Sequence, residues 1–202
     1  MNDIRIIPKP DSVSWADLTS LLHSAFEEHR LCGLNYSACD QPEEVTRERS
    51  QRGICLVALI DDILVGTATL SFENSEGHLC QVGVLPEYKG YGIGKRLVNE
   101  VIALCRQQKV EALYCNTSAK AVSVVKWYMS HNWQKIGLKS FFGTNYYSIE
   151  FRYPITGRRY HSWECSIRYY ISLIYCMSLW REDGNLRPVG RFLKKIKYCF
   201  SH

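Results

Sequence analysis

The chain has no Cys-x-x-Cys pair and no Cys/His cluster at zinc-ligand spacing, although it carries nine cysteines. A structural zinc module is therefore excluded by spacing, and no metal is expected. The cysteine count is odd, and Cys55, Cys80, Cys105 and Cys115 sit inside apolar runs. They read as reduced thiols packed as small apolar residues, not as a disulfide framework. Met1 to Pro10 carries charge early and has no long apolar core, so neither a signal peptide nor a membrane span is expected there. The dense apolar run from Tyr169 to Trp180, broken by Ser172 and Ser178, is too short to cross a bilayer. A cytoplasmic location follows as an expectation.

What is present fits one domain, or one domain with an extension, in 202 residues. Hydrophobic residues make up 46%, which argues for a packed core and against disorder. The net charge of +5 is unevenly spread: residues 151–202 hold ten Lys/Arg against three Asp/Glu, so residues 1–150 are slightly acidic. A uniformly basic nucleic-acid-binding domain is not indicated, and nucleic acid is not the expected partner.

Ile4 to Pro8 reads as a first strand, and Ser14 as the N-cap of an amphipathic helix carrying Leu18, Leu21, Leu22 and Ala25. A polar helix follows over 42–51. Two apolar runs, 54–60 and 63–72, flank an Asp61-Asp62 turn, and a further strand covers 78–85. From Gly92 the period changes: Ile93, Leu97, Val101 and Cys105 fall four apart, the spacing of a helix face. A strand at 111–116, a helix at 119–131 and strands at 134–138 and 145–153 complete the pattern. The expected fold class is α/β, a mixed central sheet flanked by helices.

The stretch Val84-Leu85-Pro86-Glu87-Tyr88-Lys89-Gly90-Tyr91-Gly92-Ile93-Gly94-Lys95-Arg96 runs from strand through glycines into helix. Glycines let the backbone approach an anion, and the first helical N–H groups have no partner within the helix. The helix dipole and Lys89, Lys95 and Arg96 add positive potential. A triphosphate-binding loop needs Gly at position 89 and Ser or Thr at 96, which are Lys and Arg. A dinucleotide fingerprint needs Gly at 95 or 97, which are Lys and Leu.

The spacing that matches is Gln/Arg-x-x-Gly-x-Gly/Ala, with Lys89, Gly92 and Gly94 in the fixed places. Here the chain resembles the GNAT superfamily of N-acetyltransferases over residues 1 to about 153. Trp127-Tyr128-Met129-Ser130-His131-Asn132-Trp133 resembles the same family's aromatic-Tyr-x-x-x-Gly-Phe ending, with Asn132 for Gly. The family often has an Asn seven residues before this Tyr, where Ala121 stands; Asn116 is the nearest substitute.

The resemblance implies an acetyl-CoA-dependent N-acetyltransferase domain over 1–153, with acetyl-CoA as cosubstrate. Val82, Gly83 and Val84 would lie beside the pantetheine arm. Lys89, Gly90, Tyr91, Gly92, Ile93, Gly94 and Lys95 would hold the pyrophosphate. Tyr128 would protonate the leaving thiolate. His78 is the candidate base, since even spacing from Val84 puts both side chains on one strand face; Glu73 or a water relay are the alternatives. The acceptor is an amine, on a small molecule or a protein. A non-catalytic acyl-CoA-binding or regulatory module is the second class.

Residues 154–202 read as a basic, aromatic helical extension. Either it folds back on the domain or, through 186–200, it makes a peripheral membrane contact. A homodimer is a further expectation.

Overall fold

The structure, a computed structural model, describes residues 4–73, 76–179 and 185. The chain divides into two compact units, Met1–Cys115 with Pro154–Arg158 and Asn116–Tyr153 with Arg159–His202. The expected α/β class is present, with seven strands in mixed orientation among the described residues.

The first unit holds β1 (Ile4–Pro8), α1 (Trp15–Leu31), α2 (Glu43–Gln51), β2 (Gly53–Ile60), β3 (Ile63–Glu73), β4 (Glu76–Val84), α3 (Ile93–Gln107) and the start of β5 (Ala112–Ser118). Its strands lie in the order β1-β2-β3-β4-β5. The first four pair antiparallel, and β4 meets β5 in parallel. Ser14 caps α1 as the sequence indicates. Its hydroxyl accepts from the Asp17 N–H at 3.0 Å, and the Asp17 carboxylate accepts from the Ser14 N–H at 3.2 Å. The Ser14 hydroxyl also donates to the Asp17 carboxylate at 2.6 Å; this bond first, and the Ser14 N–H second, hold the Asp17 carboxyl below the usual range. Asp61 and Asp62 turn the β2–β3 hairpin with φ of 48° and 64°, the doubly left-handed turn that suits the twist of a hairpin. Helix α3 buries Ile93, Leu97, Val98, Val101, Ile102 and Cys105, the stripe expected from their spacing.

The second unit holds the end of β5, α4 (Val122–Ser130), β6 (Gln134–Lys139), β7 (Ser148–Pro154) up to Tyr153, and α5 (Ser162–Leu179). Strands β6 and β7 form an antiparallel pair. On β6, the Leu138 N–H donates to Ser172 Oγ at 2.7 Å, and Cys176 Sγ donates to the Leu138 carbonyl at 3.2 Å. A helix side thus satisfies backbone groups that would otherwise invite another strand. At Gly137 a Cβ would stand 3.1 Å from Glu150 Oε2 of β7 and at ordinary contact distance, 3.6 Å, from Ser172 Oγ. Lys135 Nζ lies 3.7 Å over the Tyr169 ring in the same seam. Among the described residues no helix is long and apolar enough to cross a membrane. The basic stretch 186–200 lies outside the described residues.

Eight cysteines of the described residues are free thiols. Burial pushes the Cys80 and Cys105 thiols up to about 11, so at neutral pH they stay protonated and unreactive. Two tests follow. Ser172→Ala leaves the buried Leu138 N–H without an acceptor, which costs about 1–3 kcal/mol. The midpoint of thermal unfolding should then fall by roughly 2–10 °C; an unchanged midpoint would contradict the role of this bond. Brief alkylation at pH 8 followed by peptide mapping should label exposed Cys32 and spare Cys80 and Cys105; label on Cys105 in the folded protein would contradict its burial.

Candidate active site

In the first unit, the site is a place where two strands part. The β4–β5 ladder consists of Gly77↔Leu113 and His78↔Tyr114. Beyond His78, β4 continues to Val84 paired only with β3 among the described residues. Its other edge is open to a further extended chain. The Leu85 N–H donates to the Val65 carbonyl at 3.0 Å across the β3 ladder. In an antiparallel pair such bonds alternate sides, so the Val84 N–H points to the open edge.

A bulge helps to open that edge. Thr67 faces Gly83 and Thr69 faces Cys80, so Gln81 and Val82 together stand opposite Ala68. Gln81 takes φ of 51°, a left-handed conformation that is uncommon away from glycine. The bulge also corrects one sequence expectation. His78 and Val84 are six residues apart, but the extra residue between them reverses the alternation. Gly77 and Gly83 have the same spacing, and a Cβ on Gly77 would meet Cys105 of α3 at 3.1 Å, whereas one on Gly83 would meet Ala25 of α1 at 3.1 Å. His78 and Val84 therefore point to opposite faces, His78 towards the α1–α2 side and Val84 towards α3. Val84 Cγ2 lies 3.8 Å from where a Gly94 Cβ would be.

His78 stacks on Tyr114 with ring centroids 5.8 Å apart, and its Nε2 lies 3.9 Å from the Glu73 carboxylate. Its side chain is one-third exposed.

Past β4, a short turn over Pro86–Tyr88 leads into the glycines. Gly90 and Gly92 take φ of 86° and 77°, and Gly92 is the N-cap of α3 with no side-chain cap. The first intrahelical bond runs from the Arg96 N–H to the Gly92 carbonyl at 3.0 Å. The N–H groups of Ile93, Gly94 and Lys95 precede it and have no acceptor within the helix. This is the backbone arrangement that suits an anion, with the helix dipole behind it.

The cations around it are not equivalent. Arg96 donates to the Ile4 carbonyl at 2.8 Å and so ties α3 to β1. Lys89 Nζ lies 2.8 Å from Glu28 of α1. Neighbouring His29 sits among Phe26 and Tyr36, and its pKa is lowered, chiefly by burial. Sequence reasoning missed Glu28, which no local pattern marks.

It also missed Gln81. The carboxamide is buried among Ser50 of α2 and Thr69 of β3, whose hydroxyls donate to its Oε1 at 3.2 Å each. Its Nε2 is buried without a partner. Turning the amide over exchanges its two ends and still leaves one of them unmatched. The signal was a lone polar side chain in the run Leu79-Cys80-Gln81-Val82-Gly83.

In the second unit, Tyr128 closes the last turn of α4 and is 7% exposed. Trp127, Trp133 and Phe151 surround its ring, each with its centroid 5.1 Å away. Asn132 takes φ of 66°, the left-handed residue after a helix that the Gly-like position requires. Asn116 is exposed on β5, and Ala121 is the N-cap of α4. Among the described residues no group of three or more His, Cys, Asp or Glu is placed to hold a metal.

A family model of the acetyltransferase (GNAT) family matches residues 15–132. A protein of Bacillus subtilis (strain 168) named as an acetyltransferase is 24% identical over 102 residues, covering 50% of this chain and 69% of its own length. Among solved structures, a GNAT family acetyltransferase of Staphylococcus aureus Mu50 superposes with a TM-score of 0.63 at 23% identity, over 76% of this chain and 99% of its own. The Escherichia coli ribosomal-protein-S18-alanine N-acetyltransferase gives 0.61 at 16% identity, over 78% and 97%. A GNAT family acetyltransferase of Elizabethkingia anophelis with acetyl-CoA bound gives 0.61 at 14%, over 75% and 97%. The open β4 edge, the uncapped glycine entry to α3 and the match over 15–132 converge: the chain belongs to the acetyltransferase (GNAT) family.

Proposed function

We propose that this protein transfers the acetyl group of acetyl-CoA to an amine by direct attack on the thioester. The observation that carries the reading is the backbone of the first unit. It offers an open strand edge and three unpaired helical N–H groups in succession. A pantetheine arm has two amides that can extend a strand, and the pyrophosphate after it is an anion for a helix start. The residues present fit this cofactor: Val82, Gly83 and Val84 would border the arm, and Gly90 to Lys95 the pyrophosphate. Lys89, already paired with Glu28, would add its charge at the loop edge.

The roles of the remaining residues follow from the chemistry. An alkyl amine has a pKa near ~10.4 and arrives mostly protonated, so a base must free its lone pair. His78, on the α1–α2 face of β4, is that base in this reading. As nitrogen attacks, the thioester carbonyl becomes an oxyanion, and the outward Val84 N–H stabilises it. The carbon–sulfur bond then breaks, and the departing thiolate takes a proton from Tyr128.

The test is thiol release from acetyl-CoA with a panel of glucosamine, a free hexapeptide and spermidine. Thiol release above the water background is expected for at least one amine. Tyr128→Phe should lower kcat by about 10²–10⁴-fold with the circular dichroism unchanged, the usual range for a lost general acid. His78→Ala should lower kcat/KM and flatten the acid limb of its pH profile. If His78→Ala keeps the height and shape of the profile, the base is elsewhere. If Tyr128→Phe stays within twofold of wild type, it is not the acid.

A further inference from the structure

Helix α5 has two faces, and only one is used by β6. Ser172 and Cys176 bond to Leu138 on the inner side. The outer side carries Trp163, Ile167, Tyr170, Ile174 and Met177, which are 62%, 51%, 61%, 69% and 54% exposed. Their spacing is four, three, four, three. At 100° per residue these five fall in one straight stripe, and Ile171, also exposed, borders it. Such a stripe is the seam of a helix pair, the interval of heptad a and d positions. The helix carries two charged residues, Glu164 and Arg168, and neither lies on the seam.

We infer that this seam pairs with the α5 of a second copy of the chain, antiparallel about a two-fold axis at Tyr170. The stripe is self-complementary under that operation. Position 163 faces 177, Tyr170 faces itself across the axis, and 167 lies beside 174, offset by one residue's rise of about 1.5 Å. Each Trp163 then meets a Met177, a favourable sulfur–aromatic pair, and each Ile167 an Ile174. Five large side chains, each more than half exposed, would remove on the order of 1,000 Å² from water in the pair, the lower bound for a specific interface. An anionic lipid surface is the weaker occupant on charge. The one cation of α5, Arg168, already lies 4.5 Å over the Tyr160 ring, whereas interfacial helices flank their apolar face with several cations. The inference does not depend on acyl transfer.

Sedimentation equilibrium of the full chain from about 1 to about 100 µM spans the affinities a seam of this size gives. The wild-type mass should rise from 23.4 kDa towards twice that value. Ile174→Glu should remain at 23.4 kDa, with unchanged circular dichroism and acetyl-CoA affinity. Tyr170→Cys should form an interchain disulfide under mild oxidation, while Ile63→Cys, exposed elsewhere, should not. A monomer throughout, or a dimer that survives Ile174→Glu, would overturn the inference. So would a monomer that sediments with phosphatidylglycerol vesicles, or one that dimerises only after Leu193→Glu with Ile196→Glu. The first outcome names lipid as the occupant, the second the chain's own C-terminal segment.

Discussion

The first unit depends on one constraint: a backbone N–H taken out of water needs an acceptor. Two places leave that need open. After His78 the β4–β5 ladder stops, and the β4 edge runs on to Val84. Then Gly92 enters α3 in the left-handed region without a side-chain cap, leaving the first helical N–H groups unpaired. Such groups are met either by water or by a ligand that brings its own acceptors. The order of the two features along the chain is the order of the parts of coenzyme A, amides first and then pyrophosphate.

The bulge at Gln81 makes these features compatible. It breaks the alternation of β4, so the strand turns its N-terminal half, with His78, towards the α1–α2 side while Val84 turns towards α3. The cost is a non-glycine residue at positive φ and a buried amide with one unmatched end. Glu28 links α1 to the loop through Lys89, and Arg96 links α3 to β1. The loop is thus braced by side chains on both sides while its backbone stays free.

Most elements were legible because period and capping are local. The four-residue spacing from Ile93 to Cys105 named the buried face of α3, and Ser14 marked the start of α1. The glycine positions were readable because left-handed φ at Gly90 and Gly92 requires that residue. The bulge was not readable. Adding one residue to a strand changes no local propensity, so even spacing wrongly placed His78 and Val84 on one face. The Lys89–Glu28 pair joins residues far apart in sequence. The bonding of Ser172 to Leu138 depends on where α5 packs, which no local pattern in the sequence marks.

The most direct measurement is acetyl-CoA binding by titration calorimetry, on wild type and on Gly92→Glu with Gly94→Glu. The account predicts binding with Kd in roughly the micromolar range, about −8 kcal/mol. It predicts no detectable heat from the double variant, whose carboxylates would repel the pyrophosphate, provided its circular dichroism matches wild type. A folded wild type that does not bind, or a variant that binds equally well, would contradict the assignment of this loop to coenzyme A.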